Sequence, residues 1–218
     1  MEPILEQILQ SPKLILYSRH IQDVISEEQQ RRRQFYEDIT DEKAEFINGE
    51  VIIHSPVRIE HNIAGKLLLR FLDIYVQINR LGFVGHEKMM ITLTRNDYEP
   101  DICFWTRKKS DKFKPRQTLF PAPDFIAEIL SPSTEQRDRN IKWEDYAAHG
   151  VSEYWVIDTE ARSVEQYVLK KDGYHLHAKK DSGILKFKAV KRCEIPVRAL
   201  FDEDENLAAL KLIIENSK

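Results

Sequence analysis

Residues 123–158 read PDFIAEILSPSTEQRDRNIKWEDYAAHGVSEYWVID, and this stretch decides the fold. Its opening is an apolar strand over 124–130 interrupted only by Glu128, and Ser131-Pro132-Ser133-Thr134 then breaks it. The spacing predicts a helix capped by Ser133 or Thr134 and stopped at Gly150. VSEYWVID at 151–158 is again a largely apolar strand. Strand, helix and strand make a βαβ unit, whose right-handed crossover sets the two strands parallel.

Working outward, residues 58–80 place Ile59, Ile63, Leu67, Phe71, Tyr75 and Ile78 three and four apart, with Gly82 beyond as a stop, which predicts a long amphipathic helix. Two β-type runs follow, over 83–93 and 98–105, joined by the turn-like TRND as an antiparallel pair. The core order is therefore helix, strand, strand, strand, helix, strand, an α/β (α+β, mixed-sheet) arrangement. Upstream, Asn48-Gly49 sits between two β-prone runs and predicts a hairpin over 44–53. The first 35 or so residues split at Pro12 into two helical pieces, an N-terminal arm. There Arg31, Arg32 and Arg33 are read as a solvated helix face, diluted by Glu27, Glu28, Glu37 and Asp38. Downstream, VEQYVL and YHLHA flank Asp172-Gly173 as a hairpin, GILKFKAV gives a further strand that extends the sheet, and a C-terminal helix covers 204–215. The expected organisation is an arm over 1–40, a core domain over 41–200 and a terminal helix over 201–218.

Composition bounds the function without naming it. The 218 residues include 33 basic and 36 acidic ones, a net charge of −3, so a polyanion must be met by a local patch. Cys103 and Cys193 form neither a disulfide framework nor a zinc spacing. No run is long and apolar enough for a bilayer, and the opening Met1-Glu2-Pro3 does not resemble a signal peptide, so a cytoplasmic protein is expected.

Two carboxylates interrupt the apolar core strands, Asp101 and Glu128. Burying such a group is costly unless it is paired or bound to a metal. Neighbouring strands lie about 4.8 Å apart, so two inward acids near one sheet edge can grip a hard cation such as Mg²⁺. The alternative is that each is satisfied by an arginine or a backbone amide. On the following helix Asp138, Lys142, Tyr146 and His149 share one stripe. Lys142 in its middle reads either as a charge-stabilising amine beside the acids or as an ordinary partner of Asp138.

These residues carry a resemblance. EPDICFW, PDFIAEILSPST, the spacing to Asp138 and Lys142, and GVSEYWVID resemble the Uma-type restriction-endonuclease family, and KAEFINGEVIIHSPV with His61 is similar upstream. The resemblance covers residues 40–170 or so and implies the PD-(D/E)xK nuclease superfamily, with its restriction-endonuclease-like core of the same element order. It implies that Pro100-Asp101 is the Pro-Asp pair and Glu128 the second acid. Leu130 stands where the superfamily's strand motif has lysine, so Lys142 on the next helix is implied to supply the amine. Glu45 and His61 match the family's acidic residue before the turn and its histidine at the core helix. Glu45 is read as a further metal ligand, a support for Lys142 or an exposed strand residue; His61 as a phosphate contact or a structural histidine. Tyr154 and Trp155 are read as core and Asp158 as a strand-end cap.

The expected function is a Mg²⁺-dependent endonuclease (Mn²⁺ as substitute), with Asp101, Glu128 and the Ile129 carbonyl as ligands and Lys142 offsetting charge while an activated water attacks phosphorus. By analogy with the superfamily the product carries a 5′ phosphate. The DNA partner is expected to meet the basic stretch RKKSDKFKPR, through Arg107, Lys108, Lys109, Lys112, Lys114 and Arg116, placed near the acids because it joins their strands. A homodimer would serve to cut two strands. The alternatives are a catalytically silent binding or regulatory module on the same fold, and a structural protein of a mobile-element or toxin system without metal affinity.

Overall fold

The computed structural model describes residues 3–38 and 42–215. Asn48 and Gly49 both take positive φ, 51° and 85°, the primed turn whose twist matches paired strands, and join β1 (Ala44–Ile47) to β2 (Glu50–Ile53). Helix α3 (Ile59–Asn79) forms as expected, but its buried face is rotated from the expected stripe: Leu67 and Phe71 are buried with Ala64, Leu68, Leu72 and Val76, while Ile59 and Ile78 are exposed. It ends with Arg80 in the left-handed region.

The two runs after α3 each divide between two sheets. The first gives β3 (Gly82–His86) and β4 (Met90–Thr92), the second β5 (Asp97–Tyr98) and β6 (Ile102–Thr106). β3 pairs with β6 and β4 with β5, so the antiparallel pairing is as expected but the ribbon changes sheet midway. Pro100 lies at the break and has no N–H to donate to a ladder. Beyond β6 come the short α4 (Arg107–Ser110), β7 (Leu119–Phe120) and β8 (Phe125–Ile129). The predicted single helix is two, α5 (Glu135–Arg139) and α6 (Ile141–Ala148), separated by Asn140 at φ −123°, ψ −83°. Neither Ser133 nor Thr134 caps with its side chain; the first turn is instead closed on the Ser131 carbonyl. Strand β9 (Glu153–Asp158) runs parallel to β8, completing the βαβ unit, and Asp158 caps the following turn through the N–H groups of Glu160 and Ala161.

Strands β10 (Ser163–Lys170) and β11 (Gly173–Lys180) form the C-terminal hairpin and extend the large sheet, whose order is β11-β10-β9-β8-β6-β3. The GILKFKAV segment departs from expectation. It gives only β12 (Ile184–Lys186), paired with β13 (Glu194–Pro196) in a separate ribbon that packs on the core. Helix α7 (Glu203–Glu215) closes the described chain.

Alternation along the central strands sorts their side chains to two faces. Ile102, Phe104, Phe125, Ala127, Ile129, Trp155 and Ile157 face α3 and α7. Cys103, Trp105, Ile126, Tyr154 and Val156 face α6 and the second sheet, ordered β2-β1-β5-β4-β7. Glu128 alternates with Ala127 and Ile129, which turns it to the α6 face.

The arm consists of α1 (Pro3–Gln10) and α2 (Leu14–Glu37). Its basic run is not simply solvated. Arg32 forks onto buried Asp97 at 2.6 Å through both Nε and Nη2, and donates to the carbonyls of Leu93, Thr94 and Asn96. Glu28 receives Arg95 at 2.6 and 2.8 Å. These pairs dock α2 on the second sheet.

Candidate active site

Pairing of β6 with β8 puts Ile102 opposite Ala127, so Asp101 and Glu128 stand at the same end of two neighbouring strands. Both line one cleft of about 630 Å³, with Lys43, His54, His61, Ile129, Asp138 and Lys142. The sequence-derived candidates Asp101, Glu128, Lys142, Glu45 and His61 are thus gathered in one place.

Lys142 is the hub. The first turn of α6 brings its ammonium 3.0 Å from Glu128 Oε1, 3.0 Å from Glu45 Oε1 and 3.2 Å from Asp138 Oδ1, with only 2% of the side chain exposed. It is therefore no surface partner of Asp138. Burial alone would lower its pKa, but Glu128, Glu45 and Asp138 more than reverse this and hold it well above the usual lysine value. Tyr146, one turn along α6, donates to Glu128 Oε1 at 2.9 Å. His149, the last residue of the stripe, lies outside the cluster and meets Thr94 and Asp145.

Glu45 is fully buried, not an exposed strand residue. It accepts the Glu99 N–H at 3.0 Å, and His54 Nε2 stands 3.0 Å from its other oxygen without hydrogen-bond alignment. Burial works to raise its carboxyl, yet Lys142 and His54 win and bring it down to about 2. Asp101 is satisfied from three sides: Lys43 Nζ lies 2.8 Å from Oδ1, while His61 Nε2 at 3.2 Å and the Ile129 N–H at 2.9 Å both address Oδ2. His61 is thus a partner of the carboxylate. Burial would raise Asp101, but His61 and Lys43 hold it below the ordinary range. Glu128 goes the other way. Burial, with the charges of Asp138, Asp101 and Glu45, outweighs Lys142 and pushes it up to about 8. Asp138 moves the same way, raised by burial and by the charges of Glu45 and Asp101 against the pull of Lys142.

Lys43 and His54 were missed in the sequence, although the signal was there. The Asn-Gly turn fixes the hairpin register, pairing Glu45 with Ile52, and the next pair outward is Lys43 with His54. Period-two alternation then sets Lys43, Glu45 and His54 on one face.

The basic stretch 107–116 is not where its connectivity promised. It leaves β6 after Thr106 and enters β8 at Phe125, the ends opposite Asp101 and Glu128, so it starts about 17 Å along the strand from the acids. Lys109 is held by Asp124 Oδ1 and the Ala122 carbonyl, both at 2.9 Å. Lys108, Lys112, Lys114 and Arg116 are exposed.

The donor set suits a hard cation: two carboxylates in register and the Ile129 backbone, around a cleft. Glu128 Oε2 accepts no hydrogen bond among the described residues, and is the oxygen left for a ligand. The set stays small. Among the described residues no three His, Cys, Asp or Glu side chains are grouped as metal ligands, and the third donor would be a main-chain carbonyl.

Comparison with known proteins places this geometry in a family. A model described as "Uma2: Putative restriction endonuclease" matches residues 29–187. The "Uncharacterized protein sll1609" of Synechocystis is 30% identical over 129 residues, which is 58% of this chain and 72% of that protein. A crystal structure from Anabaena variabilis, described as "a putative nuclease belonging to DUF820", superposes with a TM-score of 0.64 at 18% identity, covering 78% of this chain and 93% of that one, a likeness of fold. No helix among the described residues is long and apolar enough to cross a membrane. The family match spans well over half of the sequence, includes every acid and both lysines of the cleft, and agrees with the motifs around Asp101, Glu128 and Lys142: the chain belongs to the Uma2 family.

Proposed function

We propose that the protein is a Mg²⁺-dependent endonuclease that hydrolyses DNA phosphodiester bonds at the cleft between β6, β8 and α6. The observation that carries this reading is the gathering of Asp101, Glu128 and Lys142 at one cleft, with Lys142 Nζ 3.0 Å from Glu128 although it comes from a helix and not from the strand. Family membership and the fold support it.

Asp101 Oδ1, Glu128 Oε2 and the Ile129 carbonyl would hold the ion. Magnesium there supplies Lewis-acid charge for the phosphate and for the attacking water. The protein's own groups do the rest. His61 and the Ile129 N–H fix one oxygen of Asp101 and leave the other for ligation. Lys142 and Tyr146 fix Glu128 through Oε1, aiming Oε2 at the cleft. Lys142 also contributes a permanent positive charge close to where the phosphate gains negative charge. Glu45, buried behind it, sets the position of that ammonium. With a cation in the cleft the ionised form of Glu128 would gain a partner, which works against the upward push of burial on its carboxyl.

DNA would reach the exposed Lys108, Lys112, Lys114 and Arg116 only by extending beyond the cleft, as phosphate contacts some nucleotides from the cut. A silent binding module on the same fold is favoured by one observation, the complete satisfaction of Asp101 by Lys43, His61 and Ile129 without an ion. Cleavage of plasmid and linear DNA with Mg²⁺ or Mn²⁺ separates the two. The nuclease reading expects activity lost on chelation and in Asp101→Asn and Glu128→Gln. Metal-independent activity, or none with any DNA form, would refute it.

A further inference from the structure

We infer that Lys43 is a built-in competitor for the metal: its ammonium occupies the cation position on Asp101 when no divalent ion is bound, and must leave for one to enter. The inference rests on Asp101 and Glu128 being the ligands.

Asp101 offers only one oxygen to a newcomer. Oδ2 already accepts from His61 at 3.2 Å and from the Ile129 N–H at 2.9 Å, both on elements of the packed core. Among the described residues Oδ1 is held by Lys43 Nζ alone, at 2.8 Å. A Mg²⁺ ion needs about 2.1 Å to such an oxygen and brings its own water shell. An ammonium at hydrogen-bond distance on the same oxygen occupies that space and repels the ion.

The two lysines of the cleft differ in their freedom to move. Lys142 is 2% exposed and locked among three acids. Lys43 is 20% exposed at the side chain, lines the cleft and, among the described residues, touches one acid within salt-bridge distance. Its backbone is fixed, since its carbonyl accepts the His54 N–H at 3.0 Å, but a four-carbon stem lets the ammonium swing toward solvent. Lys43 therefore holds the acids together without metal and lowers metal affinity by the work of displacing it.

The test is calorimetric titration of Mn²⁺ into the full chain, with melting curves taken without metal, for wild type, Lys43→Met, Lys43→Arg and Asp101→Asn. Lys43→Met is expected to bind Mn²⁺ at least tenfold more tightly while its metal-free melting temperature falls. Lys43→Arg, which keeps the charge, should not gain affinity. If Asp101→Asn abolishes binding yet Lys43→Met binds no more tightly than wild type, the competitor role is wrong and the ligand assignment stands. If Asp101→Asn binds as wild type does, or neither wild type nor Lys43→Met binds at all, both fall.

Discussion

Replacing Lys142 by methionine removes the cation that Glu45, Glu128 and Asp138 share while keeping a side chain of similar length. From the sequence alone, such a variant would be expected to lose activity and keep its stability. The geometry says otherwise, because the ammonium lies 3.0, 3.0 and 3.2 Å from three buried carboxylates. Removing one partner of a buried ion pair costs about 3–5 kcal/mol, and in a chain of this size each kcal/mol shifts the melting temperature by about 2–4 °C. A fall of about 6–20 °C is therefore expected at pH 8. The deficit should shrink toward pH 5, where the abandoned acids take up protons and no longer repel one another. Adding Glu45→Gln to the variant should restore part of the loss, since one buried charge is gone. Differential scanning calorimetry of both variants in chelator at pH 5 and pH 8 measures all of this. A Lys142→Met melt within 2 °C or so of wild type at both pH values would refute the hub assignment.

Glu128, pushed up from 4.5 to about 8, holds a proton in the fold that the unfolded chain gives up. Its contribution is complete below pH 4.5 or so and is lost as the pH climbs toward 8, so metal-free Glu128→Gln should lose less stability than wild type over that range; parallel curves would contradict this. Arg32→Ala leaves buried Asp97 with the Tyr36 hydroxyl but without its cation, at a cost of about 3 kcal/mol, and should speed tryptic cutting at Arg31 and Arg33 on α2; unchanged digestion would show that the arm is held otherwise. Neutralising the exposed Lys108 and Lys112 should flatten the dependence of log DNA affinity on log salt by up to about 1.8 units, and an unchanged slope would remove the stretch from the DNA path.

What the sequence made legible was whatever local chemistry determines. Asn48-Gly49 dictates a turn, and the turn dictates the register of β1 and β2. The apolar strands around SPST dictate the βαβ unit. The misses arise where tertiary packing overrides local pattern. Asn140 breaks a continuous helical stripe without a proline or glycine to announce it, yet the break leaves Asp138 and Lys142 both turned to the cleft. The strand runs after α3 split between sheets because each is shared by two partners, which periodicity does not record. Arg32 looked solvated because its acid, Asp97, is 65 residues away. The basic stretch was misplaced for a simpler reason: strands have two ends, and a loop joining two strands lies at the end it leaves, not at the acids the strands carry.

The central claim, a cation held between Asp101 and Glu128, is tested most directly by crystallising the full chain with Mn²⁺ and measuring its anomalous scattering. The account predicts one peak at about 2.1–2.3 Å from Asp101 Oδ1, Glu128 Oε2 and the Ile129 carbonyl, with Lys43 turned away. Lys43 still on Asp101 at saturating Mn²⁺, with no peak between the acids, would contradict it.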